Sequence, residues 1–211
     1  MIRDSKGKKS DKEINTEIMV NIVTSESNPE LMTEYADALL KKVPEVTTIV
    51  NNITTRKSSV AIGETEEIIY GSGFIRDYIG GYEFQITANS FFQTNTQQAE
   101  RLYQTALNYA ELQGDEVLYD LYSGAGTIAI FFSSYAKAIY GFEAVEESVK
   151  NAEKNIRNNK IENVFPHVVD LYKSFIPYIE NNNIPKPDII ISDPPRNGMH
   201  PNTVNDLLTI L

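Results

Sequence analysis

The sequence predicts an α/β protein, with a parallel, doubly wound sheet in its second half and a smaller α+β region with antiparallel strands before it. Three observations carry that reading. After Gly114, short apolar runs alternate with amphipathic helical patterns, and a series of this kind closes as a parallel sheet with right-handed crossovers. The first run, Val117-Leu118-Tyr119-Asp120, leads into a turn with Gly124 and Gly126 one residue apart at the mouth of a helix. Before residue 95, alternating runs separated by glycine and charge read as antiparallel strands. The boundary is placed after residue 92, giving domains of 1–92 and 93–211.

The elements follow in order. The polar, lysine-rich start "MIRDSKGKKSDKE" reads as a solvated hairpin tip or terminus. "INTEIMVNIVTS" alternates as a strand does. In "NPELMTEYADALLKKVPEV", Leu31, Met32, Tyr35, Ala38 and Leu39 recur at helical spacing behind Asn28-Pro29, and Pro44 closes the helix. The runs "TTIVNNIT", "EEIIYG" and "YEFQITANSFFQ" are β-like. "TQQAERLYQTALNYAEL" is an amphipathic helix with Ala99, Leu102, Tyr103, Ala106, Leu107 and Ala110 along one stripe. The parallel strands are "VLYDL", "AIYGFEA", "VFPHVVD" and "DIIISD"; "TIAIFFSSYA" and "VEESVKNAEKNIRNNK" are helices between them.

Composition bounds the chemistry. The 211 residues include no cysteine, so thiolate metal sites, disulfides and a cysteine nucleophile are excluded within them. The two histidines, His167 and His200, are far apart, and no metal site is expected. No apolar run approaches membrane-spanning length and no signal-peptide pattern is present, so the expected location is cytoplasmic, with no membrane partner. A net charge of −10 argues against wholesale electrostatic binding of nucleic acid, though not against a local basic patch.

Doubly wound sheets bind ligands at the carboxyl ends of their strands, so the polar residues there are the ones to weigh. Gly124-Ala125-Gly126-Thr127-Ile128-Ala129 matches G-x-G-x-x-G/A, the dinucleotide fingerprint. Asp120, four residues ahead of Gly124, fits that ligand poorly, because a carboxylate beside the loop repels a pyrophosphate. It resembles instead the D-x-x-x-G-x-G turn of S-adenosylmethionine-dependent methyltransferases, whose cofactor carries an ammonium and a sulfonium; alternatively Asp120 simply ties down the loop. Glu143 ends the second strand, where a carboxylate accepts from a ribose diol in either cofactor class. Asp170 ends the third, placed for an adenine amino group. His167 reads as structural. The fourth ends in Asp193-Pro194-Pro195-Arg196, the most specific signal: the prolines fix φ and stop the strand. Where amino-group methyltransferases carry an aromatic ring after the prolines, this chain has Arg196, a planar fork for phosphate or carbonyl oxygen.

Taken together, "FFQTN", "DLYSGAGTI", "GFEAVEESVKNAEKN" and "SDPPRNG", in this order and spacing, resemble the RNA uracil-5 methyltransferases. The likeness covers roughly the whole chain and is strongest from Phe91 onward. It implies a Rossmann-like methyltransferase sheet preceded by part of a central domain. It also implies S-adenosyl-L-methionine as cofactor, held by Gln93, Tyr122, Gly124, Gly126, Thr127, Glu143, Asp170 and Asp193. Asp193 and Arg196 would position the substrate, an RNA, with ribosomal RNA expected ahead of transfer RNA. In that family a cysteine thiolate adds at uracil C6 to make C5 nucleophilic, and a general base removes the C5 proton. Both groups follow the Asp-Pro-Pro-Arg segment. This chain has no cysteine, so the nucleophile is absent; Ser123 stands before the first glycine, where many relatives have a cysteine that is not the nucleophile. The expectation is therefore a cofactor-binding fragment, inert towards uridine by itself. Two alternatives stay open: a nicotinamide-dependent oxidoreductase, and a non-catalytic module that holds cofactor or RNA.

Overall fold

A computed structural model describes residues 2–4, 16–55 and 63–210. The chain forms two compact units, Met1–Thr96 and Gln97–Leu211.

In the first unit the strands are β1 (Ile2–Asp4), β2 (Ile18–Thr24), β3 (Val46–Ile53), β4 (Thr65–Tyr70), β5 (Phe74–Ile79) and β6 (Tyr82–Thr87), and helix α1 (Pro29–Lys42) joins β2 to β3. The helix begins where its sequence says it should. Asn28 caps it, accepting from the Leu31 N–H at 3.1 Å, Pro29 opens its first turn, and Lys41 and Lys42 sit at the negative end of its dipole. Ala36 of α1 packs with Val20, Val46 and Ile49 of the sheet. Strands run in the order β1-β2-β3-β4. The outer pairs are antiparallel, as expected, but β2 and β3 are parallel. The reason is α1: a helical crossover returns the chain to its starting end, so the next strand runs the same way.

β5 was not anticipated. It pairs with β6 in a hairpin whose two-residue turn, Gly80-Gly81, has φ of 59° and 83°. Positive φ at both central residues is the primed turn that matches strand twist. The glycine pair was the available signal. Of the lysine-rich start read as a solvated hairpin tip or terminus, Ile2–Asp4 form β1, and the rest lies outside the described residues.

The second unit holds α2 (Thr96–Ala110, from Gln97 on), β7 (Val117–Leu121), α3 (Thr127–Phe132), β8 (Ala138–Glu143), α4 (Glu146–Asn158), β9 (Val164–Val168), α5 (Ile176–Asn181), β10 (Ile189–Ser192) and α6 (Pro201–Ile210). All four strands are parallel, in the order β10-β7-β8-β9. The chain winds outward from β7 to β9 and returns to the other side of β7 for β10. Strand order therefore reverses between β7 and β10, and a crevice opens at the carboxyl ends of such a switch point. Leu118, Tyr119 and Leu121 of β7 are fully buried, as a strand covered on both faces must be. Tyr119, Leu121 and Phe142 join Leu171, Phe175 and Ile179 in one core. The short helix α5 escaped the sequence reading because its six residues, with Pro177 in the first turn, are too few to show a helical period.

Candidate functional site

The turn after β7 is built from alternating backbone handedness. Tyr122, Gly124 and Gly126 have φ of 63°, 53° and 78°, and no positive φ falls between them. A tyrosine in that region is strained by on the order of 1 kcal/mol. Hydrogen bonds to β8 offset the strain: the N–H groups of Tyr122 and Ser123 both donate to the Phe142 carbonyl, at 2.9 and 3.1 Å. The Gly124 N–H donates to Glu143 Oε2 at 3.0 Å, and Glu143 Oε1 accepts from the Val145 N–H at 2.8 Å. The loop is thus stitched to the end of β8 through Glu143.

The two glycines answer different demands. A Cβ on Gly126 would lie 3.1 Å from the Ala152 Cβ of α4, so this glycine also admits a neighbouring helix. A Cβ on Gly124 would meet nothing within 4 Å, so its surroundings leave room for a ligand to approach. A third glycine, Gly141 in β8, was not singled out; a Cβ there would sit 3.0 Å from Ser123 Oγ, so it admits the buried Ser123 side chain beneath the loop.

A carboxylate stands at or near each strand end. Asp120 does not face outward from the strand end; it lies one residue inside β7 and is fully buried. Its Oδ2 accepts from the Ala129 N–H at 3.1 Å, tying the strand to α3, while Oδ1 has no partner among the described residues. Burial pushes its pKa up to about 7, against the pull of the Ala129 N–H and with smaller upward pushes from Asp193 and Glu143. Glu143 is half-buried; each of its oxygens holds one backbone N–H and keeps a lone pair for another donor. Asp170, two residues past β9, is exposed. Its Oδ1 accepts from the Tyr172 N–H at 3.0 Å and its Oδ2 lies 3.3 Å from Lys173 Nζ. The Tyr172 N–H, and after it Lys173, hold this carboxyl below the usual aspartate range. The Asp193 N–H reaches the Leu121 carbonyl at 3.4 Å, so Asp193 flanks the glycine turn across the switch point.

Thr127 opens α3, and its hydroxyl meets the Tyr103 hydroxyl at 3.0 Å. Sequence reasoning placed Tyr103 only in the helical stripe. It is buried, which raises its pKa, and the charges of Asp120 and Asp193 push the same way. Arg196 is exposed and has no hydrogen-bond or ion-pair partner among the described residues. Gln93 is half-buried and belongs to the first unit. His167 lies among the rings of Tyr140, Phe142 and Tyr178, and desolvation lowers its pKa. Among the described residues no cluster of metal-ligating side chains occurs, and no helix is long and apolar enough to cross a membrane.

Phosphate-binding turns offer free N–H groups to the anion. Here the Gly124 N–H holds the Glu143 carboxylate, which suits an adenosine ribose in either cofactor class, and Asp193 adds negative charge beside the turn. The model of the tRNA (uracil-5-)-methyltransferase family matches residues 14–172.

The chain belongs to the tRNA (uracil-5-)-methyltransferase family.

Curated relatives in this family's company include an uncharacterised RNA methyltransferase of Chlorobaculum tepidum, 40% identical over 92% of this chain and 40% of the relative. Another from Clostridium tetani is 39% identical over 86% of this chain and 39% of the relative. The chain therefore spans about two fifths of their length. Among solved structures, the Pyrococcus abyssi tRNA (uracil-54, C5)-methyltransferase in complex with S-adenosyl-L-homocysteine matches with a TM-score of 0.72 and 29% identity, over 98% of this chain and 45% of that one. Methanocaldococcus jannaschii Trm5 in complex with adenosine shares the fold, with a TM-score of 0.55 at 16% identity over 92% of this chain and 55% of that one. The second unit has the fold of S-adenosylmethionine-dependent methyltransferases, and the oxidoreductase alternative is set aside.

Proposed function

We propose that this chain supplies the cofactor-binding part of an enzyme that transfers a methyl group from S-adenosylmethionine to uracil C5 in RNA. The observation that carries the reading is the acidic mouth of the sheet: Glu143 bonded to the glycine turn, Asp193 beside that turn and Asp170 past the third strand. A carboxylate at Glu143 suits the ribose of any adenosyl ligand, and the further negative charge of Asp193 beside the turn suits a cationic one. The spare lone pairs of Glu143 would accept the ribose hydroxyls, and Asp170 the adenine amino group. The Tyr122–Gly126 turn, with Thr127 and Asp193 beside it, would hold the methionine end, and we assign Gln93 to the same ligand through the family resemblance. The bound cofactor supplies an electrophilic methyl group. Arg196, exposed and unpaired among the described residues, would take a phosphate or carbonyl oxygen of the RNA.

With no cysteine in its 211 residues, the chain cannot provide the thiolate that the family resemblance requires for C6 addition, so we infer that it does not methylate uridine by itself. Transfer RNA is the first substrate to test, because the family model and the Pyrococcus neighbour both carry it in their names; ribosomal RNA is the second. Calorimetry of the chain with S-adenosylhomocysteine and with NAD, side by side, tests the cofactor reading. Binding of the first with none of the second is expected; tight NAD binding alone would overturn it.

A further inference from the structure

We propose that the polar face of α6 is a clasp that positions Asp170 for the adenine of the cofactor, an inference that rests on the cofactor reading above. Residues 170–175, between β9 and α5, form a turn and no regular element. Within it, the Tyr172 N–H donates to Asp170 Oδ1 and the Lys173 N–H to the Asp170 carbonyl, both at 3.0 Å. This side-chain turn sets where the carboxylate points. From outside, α6 grips the same segment at successive places. Asn202 Nδ2 donates to the Tyr172 carbonyl at 3.0 Å, and the Thr203 hydroxyl donates to the Leu171 carbonyl. Asp206 accepts from the Phe175 N–H at 2.6 Å and from Ser174 Oγ at 2.9 Å. Positions 202, 203 and 206 share one face of the helix.

Packing alone does not call for these groups. Leu207 and Ile210 of α6 already lie against the core that contains Leu171 and Phe175. Thr203 and Asp206 are buried, and burying polar groups carries a desolvation penalty unless they are bonded. What their bonds add is direction: they fix the peptides on either side of Tyr172, whose N–H anchors Asp170. With Oδ1 so held, the exposed carboxylate keeps lone pairs for an amino donor. The N-terminal end of α6, which carries Asn202 and Thr203, follows closely on the Asp193–Gly198 turn. There His200 Nδ1 accepts from the Asn202 N–H at 3.2 Å, and its ring lies 5.4 Å from that of Tyr172. One helix therefore ties the loop assigned to the cofactor to the turn assigned to the substrate.

The test compares S-adenosylhomocysteine with S-inosylhomocysteine, in which oxygen replaces the adenine amino group. Calorimetry on the unmodified chain should show the adenosyl ligand preferred. Asn202→Ala, at an exposed position, and Thr203→Val should each weaken the adenosyl ligand roughly three- to tenfold, the size of one net hydrogen bond. Neither should alter the inosyl ligand, and Thr203→Ser should restore the parent value. In an Asp170→Ala background the same changes should have no further effect. Equal weakening of both ligands would reduce α6 to general support and overturn the proposal; so would an unchanged ratio in Asn202→Ala. An unmodified chain that binds neither ligand would instead refute the cofactor reading itself, and the clasp with it.

Discussion

Asp120→Asn isolates the consequence of burying a carboxyl under the glycine turn. The aspartate has no exposure, one N–H donor from Ala129, and one oxygen with no partner among the described residues. Its pKa rises from 3.8 to about 7, mainly through desolvation. A group whose folded pKa lies above its unfolded value contributes stability that is complete below the unfolded pKa and is lost as pH rises through the folded one. At about 1.36 kcal/mol per unit, the full effect is on the order of 4 kcal/mol, of which roughly 3 kcal/mol is lost between pH 5 and pH 8. Asparagine has nearly the same shape and keeps an acceptor for Ala129, but does not ionise. Relative to the variant, the parent should therefore lose stability across that window. Urea denaturation of both proteins at intervals from pH 5 to pH 9 measures the difference, and other titrating groups cancel in it. Parallel stability curves, with a constant gap across the window, would show that Asp120 ionises at an ordinary pH and that the desolvation argument is wrong.

Other changes at the site have separate readouts. Glu143→Ala should weaken S-adenosylhomocysteine binding by about 1.5–3 kcal/mol, the range for hydrogen bonds to a charged acceptor, and calorimetry reads it. Gly124→Ala and Gly126→Ala both place a side chain at positive φ, costing roughly 1–2 kcal/mol each in denaturation experiments. Gly126→Ala should cost more because of the 3.1 Å approach to Ala152, whereas Gly124→Ala, with open space around it, should lose cofactor affinity beyond its loss of stability. Incubating the chain alone with tritium-labelled methyl donor and unmodified tRNA should leave uridine C5 unlabelled, and label there would refute the requirement for a cysteine.

The winding of the second unit was legible because each buried strand ends in a polar residue and the first two crossovers carry helical patterns; the third, through α5, shows none. The places of Glu143, Asp170 and Asp193 at or just past the strand ends could be read for the same reason. Asp120 could not be placed so directly. A carboxylate late in a strand looks the same in sequence whether it faces the crevice or turns under the loop, and only the Ala129 N–H decides between them. Tyr103 was hidden by its own amphipathic helix: an aromatic residue on an apolar stripe gives no sign that its hydroxyl will reach Thr127. The parallel β2–β3 pair was visible as strand, helix, strand, but antiparallel neighbours on both sides masked it. The grip of α6 on the Asp170 loop joins residues about 30 positions apart through main-chain carbonyls, which leave no trace in side-chain pattern.

The glycine turn shows why a fingerprint of this kind leaves its ligand class open. Gly124 and Gly126 allow the backbone path whatever the ligand, so G-x-G-x-x-A alone does not separate a phosphate cradle from an adenosyl site. Glu143 does not separate them either, because a carboxylate at the end of the second strand takes a ribose diol in either cofactor class. It holds the Gly124 N–H and keeps acceptors for two hydroxyls. What argues against a diphosphate is the other negative charge beside the turn, that of Asp193 above all. Glu143→Gln keeps an acceptor for Gly124 but removes the charge that the ribose hydroxyls meet. It should weaken S-adenosylhomocysteine binding and leave the preference over NAD in place in paired calorimetric titrations, whereas a lost preference would show that Glu143 itself carries the discrimination.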